Sequence, residues 1–187
     1  MRQRVLYLLH KPYGVLSQFT DEGNKRGLGS LNLPFGQDVY PIGRLDADSE
    51  GLLLLTNDNM LKTRLLDPNE GHPRTYHAHV EGLTSEEQLR ELSQPMTLRA
   101  KGKTFVTKPC IARAIQPDWP DRVPPIRTRL TVPDSWVELT LTEGKNRQVR
   151  RMTAHVGLPT LRLIRVAMGS WSLGDLAPGE WTEVSLA

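Results

Sequence analysis

Gly43-Arg44-Leu45-Asp46 runs through Asp48-Ser49-Glu50-Gly51 into Leu52-Leu53-Leu54-Leu55, so a carboxylate with a nearby arginine stands at the mouth of a strongly apolar strand. Gly43 before it and Gly51 after it let the backbone turn sharply, and a loop of that kind can hold one side chain in a cleft. A carboxylate so placed can attack an electrophilic carbon or take a proton, which makes Asp46 the candidate catalytic nucleophile. A polar hairpin loop would carry the same tetrapeptide, so the rest of the chain has to decide.

A second set of residues suits a polyanion. Arg147, Arg150 and Arg151 fall at i, i+3 and i+4, one side of a helix, whereas Val149, Met152 and Val156 fall on another. One stripe can pack on a sheet while the other faces a cleft or RNA. Three like charges so close repel one another, and phosphate or an acidic side chain would relieve them; a solvated basic face is the plainer alternative. Tyr76, in Arg74-Thr75-Tyr76 at the start of a strand, is either a core aromatic or a platform for a nucleobase, worth roughly 1–3 kcal/mol per base.

Bulk properties exclude more than they select. The net charge of +3 and pI of about 9.2 permit nucleic-acid binding without requiring it. The single cysteine, Cys110, rules out an intrachain disulfide and a cysteine-based zinc cluster and is expected as a buried thiol. His77 and His79 share one face of a strand, but two histidines without a third ligand leave no metal site expected. No stretch approaches the roughly 20 apolar residues that span a membrane. Met1-Arg2-Gln3-Arg4 leads into a strand rather than a secretory signal, so a cytoplasmic protein without a membrane partner is expected. Neither Gly-x-Gly-x-x-Gly nor Gly-x-x-x-x-Gly-Lys-Ser/Thr is present, which removes the two commonest phosphate cradles.

The elements that must hold these residues are legible in outline. Val5–Leu9 reads as a strand stopped by Lys11-Pro12-Tyr13-Gly14, with a short element at Leu28–Leu33 inside a polar loop. Leu52–Thr56 reads as a buried strand, and Asp58 can cap a helix carrying Leu61 and Leu65. Tyr76–Glu81 reads as a strand, and Thr84-Ser85-Glu86-Glu87 as a capping box for a helix carrying Leu89 and Leu92. Short strands follow between Met96 and Leu130, with an irregular excursion at Pro117–Pro125. Ser135–Thr142 alternates as a half-buried strand, Asn146 can cap the next helix, and Gly157 can end it. Thr160–Met168 and Glu180–Leu186 complete the strands. Strands outnumber helices and short turns separate them, so the class is α+β with a mainly antiparallel sheet.

Four motifs in this order resemble the bacterial ribosomal RNA pseudouridine synthases: Lys11-Pro12-Tyr13-Gly14, Gly43-Arg44-Leu45-Asp46 with its tail from Gly51 to Asp58, Arg74-Thr75-Tyr76, and Glu143 to Met152. The resemblance covers nearly the whole chain. Pro124-Pro125-Ile126-Arg127 and His155–Met168 are most similar to the E type of large-subunit enzyme. Arg74 stands where many members have lysine, and Asn59 where glycine is common. The resemblance implies the pseudouridine synthase fold, a mainly antiparallel mixed sheet flanked by helices, as a single catalytic domain over residues 1–187 with two lobes about one cleft. About ten residues precede Lys11-Pro12, so no N-terminal accessory RNA-binding domain is expected.

By the same resemblance the activity is cofactor-free isomerisation of a uridine in 23S ribosomal RNA, free or in assembly intermediates, by a monomer. Asp46 is then the catalytic aspartate, Tyr76 the aromatic residue against the target base, Arg150 the basic partner of the aspartate, and Leu163 a wall of the base pocket. Lys11, Arg44, Lys145, Arg147, Arg151, Arg162 and Arg165 are the candidates for phosphate contacts, which position RNA without reading its sequence. A non-catalytic RNA-binding or assembly protein, or the same chemistry on transfer RNA or the small subunit, are the readings that compete.

Overall fold

The computed structural model describes residues 3–127, 129 and 131–185. In chain order the elements are β1 (Leu6–Lys11), a 3-10 turn (Leu28–Leu31), β2 (Tyr40–Pro41), β3 (Glu50–Thr56), α1 (Asn59–Leu66), β4 (Arg74–Glu81), α2 (Glu86–Ser93), β5 (Thr97–Ala100), β6 (Lys103–Val106), β7 (Ile111–Ile115), β8 (Asp134–Leu141), α3 (Gln148–His155), β9 (Thr160–Met168), β10 (Trp171–Ser172) and β11 (Trp181–Val184). They form two compact units, Met1–His72 with Arg165–Ala187, and Pro73–Ile164, so β9 contributes its first half to the second unit and its second half to the first. The expected strand end at Leu186 and the stretch's end at Leu130 lie outside the described residues.

In the first unit the four consecutive leucines make β3 apolar on both faces, and all seven of its residues are buried. Strand order is β11-β1-β3-β9. β1 pairs antiparallel with β3 from Leu6↔Thr56 to Lys11↔Gly51, and with β11 from Leu6↔Val184 to Leu9↔Trp181. One face of the sheet packs Leu9, Leu53 and Leu55 against Val15, Leu28 and Val39; each such side chain withdrawn from water contributes roughly 1.5–3 kcal/mol. As expected, Asp58 caps α1, its Oδ1 accepting from the amides of Met60 at 2.9 Å and Leu61 at 3.1 Å.

The second unit has the order β9-β4-β8-β7. β4 and β8 pair antiparallel over eight residues, from Arg74↔Leu141 to Glu81↔Asp134. Period two puts Ala78, Val80, Val137, Leu139 and Leu141 on one face, where they pack with Leu89 and Leu92 of α2 and Val149, Met152 and Val156 of α3. The other face carries His77, whose Nε2 lies 3.0 Å from Glu138 Oε2, and His79, whose Nε2 lies 2.9 Å from Asp134 Oδ1. No group of three histidine, cysteine or acidic side chains is poised for a metal among the described residues.

Residues 116–127 are irregular. Trp119 fastens this excursion by donating its indole N–H to His77 Nδ1 at 3.0 Å, while Arg162 Nη1 donates to Pro120 O at 2.8 Å. An indole can only donate, so His77 is neutral with its proton on Nε2. Burial lowers the His77 pKa against the pull of Glu138, with Arg113 lowering it further.

Two helix starts differ from expectation. Ser85, not Thr84, caps α2, with Gln88 completing the capping box, because the Thr84 hydroxyl and amide are taken by Ser135 Oγ at 2.7 and 3.1 Å. α3 begins after Arg147, which is left-handed at φ 52° and lies outside the helix, so Arg147 does not share a helical side with Arg150 and Arg151. Asn146 does not cap, since its carbonyl and Oδ1 accept from Arg151.

Candidate active site

Asp46 lies half-buried in the loop between β2 and β3, and the loop is held from both sides by the turn that follows β1. Before the aspartate, the buried Ser17 hydroxyl donates to Leu45 O and accepts from Leu45 N–H, both at 2.9 Å. After it, Gly14 N–H donates to Ala47 O at 2.7 Å, and Ser49 N–H closes a turn on Asp46 O at 3.0 Å. Gly43 has φ 73° and Gly51 φ 105°, conformations that a side chain strains; Gly43 bends the chain as expected, whereas Gly51 lies inside β3, paired with Lys11, rather than in a turn. A Cβ on Gly51 would also meet the backbone of Arg165, its nitrogen at 2.6 Å.

Among the described residues Lys11 is the largest side chain wholly removed from solvent. Its Nζ donates to Val15 O at 2.6 Å and Pro12 O at 3.0 Å, stiffening the turn that grips the Asp46 loop. Burial lowers its pKa to about 8, resisted by Glu50, Asp48 and Asp46 and assisted by Arg165. The phosphate contact expected of Lys11 is therefore corrected: an ammonium with no exposed surface cannot meet an RNA backbone. Arg162 and Arg165 need the same correction, being 4% and 3% exposed. Arg165 Nε donates to Leu52 O at 2.8 Å. Arg44 is exposed, with one long hydrogen bond to Gln18 Oε1 at 3.4 Å.

The other residues expected at the site, Tyr76, Arg150 and Leu163 among them, belong to the second unit. Tyr76 is half-buried against the core face of β4 beside Ala78 and Val80. Leu163 is buried in the same cluster. Arg150 on α3 donates from Nη1 to Thr160 O at 3.3 Å, and the Thr153 and Thr160 hydroxyls join at 2.7 Å, tying α3 to the start of β9. Arg151 places Nη1 2.8 Å from Arg99 O and Nε 3.1 Å from Asn146 O.

Glu143 organises the turn before α3. Its Oε1 accepts from Lys108 N–H at 2.8 Å and Gln148 Nε2 at 2.7 Å, and its Oε2 pairs with Lys145 at 2.9 Å. Desolvation pushes the Glu143 pKa up, but these donors outweigh it and hold the carboxyl below its ordinary value. Lys145, expected on phosphate, thus has an internal counter-ion, and it also lies 4.9 Å from the Phe105 ring centroid. Cys110 is half-buried rather than wholly buried, and burial, with Glu143 nearby, raises its thiol pKa to about 11. A thiol so protonated is a poor nucleophile at neutral pH.

Ser17, Glu143 and the structural role of Lys11 were not expected from sequence. The signal for Ser17 is a polar residue ending the apolar run Val15-Leu16 beside a proline and glycine turn. Glu143 stands at the front of the basic segment as its one acid.

The family model for RNA pseudouridylate synthase matches residues 5–155. The chain is 53% identical over 182 residues to the ribosomal large subunit pseudouridine synthase E of Xanthomonas campestris pv. campestris, covering 95% of this chain and 94% of that one. To the protein of the same name from Vibrio vulnificus it is 46% identical over 187 residues, 100% of this chain and 77% of that one. A crystal structure of a pseudouridylate synthase matches with a TM-score of 0.80 at 24% identity, covering 99% of this chain and 72% of that one, which is a likeness of fold.

Proposed function

The chain belongs to the RNA pseudouridylate synthase family, and from that premise we propose that it isomerises one uridine of 23S ribosomal RNA to pseudouridine with Asp46 as the catalytic carboxylate. The observation that carries the assignment is the backbone-held Asp46 on the loop entering β3, inside the stretch that the family model matches. The large-subunit substrate rests on the names of the Xanthomonas and Vibrio relatives. The protein acts as a cytoplasmic monomer, on RNA that is free or still assembling.

The reaction breaks the N1–C1′ bond, turns the uracil while it is held, and joins C5 to C1′. C5 then gives up its proton and N1 gains one, so the product is an isomer and neither electrons nor water are exchanged. Asp46 attacks C1′, or takes the C2′ proton to give a glycal; either step uses an ionised carboxylate as nucleophile or base. The target base has to leave its stack, at a cost of a few kcal/mol. Tyr76 returns part of that cost by stacking, Leu163 supplies an apolar wall, and Arg150 serves as the cationic partner of the carboxylate. Arg44 and Arg147, both exposed, are the candidates for phosphate.

Tritium release from 23S transcripts labelled at uridine C5 tests the proposal. Wild type should release one equivalent per transcript. Asp46→Asn should fall by on the order of 10⁴-fold or more, with RNA binding retained. Equal release by both proteins would remove Asp46 from the chemistry. Release from transfer RNA or small-subunit transcripts in place of 23S RNA would overturn the substrate.

A further inference from the structure

The Asp46 loop is short, and the backbone that leads into the aspartate is bonded to a side chain. Leu45 is 6% exposed and Ser17 is 4% exposed, so neither meets enough water to exchange one partner for another. One hydroxyl serves both polar groups of the residue before Asp46, donating to Leu45 O and accepting from Leu45 N–H at 2.9 Å each. A hydroxyl used in both directions fixes the position of the peptide unit on either side of Leu45, including the one that leads into Asp46. Gly14 N–H to Ala47 O, at 2.7 Å, does the same on the far side. The turn that carries Gly14 and Ser17 is stiffened by Lys11, whose ammonium bonds Pro12 O and Val15 O.

We infer that Ser17 is a positioning residue for Asp46: through the backbone of Leu45 its hydroxyl sets where the carboxylate points, and it is needed for the chemical step rather than for RNA binding. The inference rests on the reading of Asp46 as the catalytic carboxylate. Ser17 touches no reacting atom. A carboxylate that must reach a sugar carbon or its proton tolerates little displacement, and a shift of about 1 Å can cost on the order of 100-fold in rate. Ser17→Ala deletes one oxygen and leaves the surrounding apolar packing in place. Ser17→Thr keeps the oxygen.

The experiment has two readouts. In the protein alone, amide hydrogen exchange followed on ¹⁵N-leucine-labelled samples should show Leu45 exchanging faster in Ser17→Ala than in wild type. The amides of Leu53 and Leu54 in β3 should keep their wild-type protection, which separates loosening of the loop from loss of the fold. With 23S transcript and saturating enzyme, single-turnover tritium release by Ser17→Ala should drop on the order of 100-fold while the Kd for RNA stays within about twofold. Ser17→Thr should recover most of that rate.

Unchanged Leu45 exchange in Ser17→Ala would overturn the clamp. So would a single-turnover rate within about threefold of an active wild type, whatever the exchange shows. A weakened Kd that accounts for the lost rate would move Ser17 to the binding surface and overturn the inference in that way. Absence of tritium release from wild type would count against the isomerase reading instead, with the exchange measurement still deciding whether Ser17 holds the loop.

Discussion

The Asp46 loop of the first unit and the basic turn before α3 in the second hold charged side chains by opposite means. Around Asp46 the backbone is gripped: Ser17 and Gly14 bond the residues on either side, and the charges beneath, Lys11, Glu50 and Arg165, are buried. Around α3 side chains do the holding. Arg151 reaches Arg99 O and Asn146 O, and Glu143 gathers Lys108 N–H, Gln148 and Lys145. A single carboxylate that must meet one atom gains from a rigid main chain. A basic surface facing a flexible polyanion has no such need, because phosphate contacts are many and each is weakly directional. The contrast predicts where the chain resists substitution.

The sharpest way to break the first half of the contrast is at Gly51. Its φ of 105° and the Arg165 backbone beneath it exclude a Cβ. Gly51→Ala should destabilise the protein by about 4 kcal/mol or more, above the ordinary range for a point change. Gly14, in the turn that grips the same loop, has φ 83° but open space around it, so Gly14→Ala should cost only the backbone strain, about 1–2 kcal/mol. Urea denaturation of the two variants reads the difference. Equal costs would mean that close packing against Arg165 contributes nothing beyond the dihedral angle.

A smaller effect sharpens the role of the buried charge. The Lys11 pKa falls from 10.5 to about 8 on folding, so between those values the unfolded chain binds more protons and stability rises with pH. Folding therefore carries the full cost of burying a protonated Lys11 below about pH 8, and that cost is gone above pH 10.5. Lys11→Met titrates nothing there. The stability of wild type relative to Lys11→Met should accordingly improve from pH 7.5 to pH 10.5, by about 2–4 kcal/mol at roughly 1.4 kcal/mol per pH unit. Comparing the two proteins cancels the tyrosines and other lysines that titrate in the same range. A difference that does not move with pH would mean that Lys11 is folded without a depressed pKa.

What was legible in the sequence follows the same division. Local signals read well: Asp58 caps α1, Thr160–Met168 is a strand to its ends, and Gly157 follows α3 with φ 80°. The helix caps shifted where another side chain outbid the helix amides: Ser135, far along the chain, takes the Thr84 hydroxyl, and Arg151, within α3 itself, takes the carbonyl and Oδ1 of Asn146. Asp46 stood out as a candidate because its neighbours are close in sequence and unusual in type. Lys11 was misread for the converse reason, since a lysine beside a proline turn looks exposed until β3, distant in sequence, pairs with β1 and Lys11 is buried. Arg162 and Arg165 likewise sit in a strand whose central residues are buried, and positive charge alone does not reveal which arginines stay in water.

The smallest expected effect separates a loose arginine from a tied one. Arg44 is exposed and holds one long hydrogen bond, to Gln18 Oε1 at 3.4 Å, so turning to a phosphate would break that weak bond alone. Arg151 would have to release Arg99 O at 2.8 Å and Asn146 O at 3.1 Å to do the same. Arg44→Gln should lower the slope of log K against log salt for 23S RNA by about 0.7–0.9, the loss of one phosphate contact, and leave stability within about 0.5 kcal/mol. Arg151→Gln should do the reverse, costing about 1 kcal/mol of stability for the lost hydrogen bonds with little change in the salt slope. Filter binding across a salt series, with urea denaturation of both variants, decides between them. If Arg151→Gln lowers the slope as much as Arg44→Gln does, the basic turn is a phosphate surface even where its donors are already occupied, and the contrast between a gripped loop and a tied helix would hold for structure but not for binding.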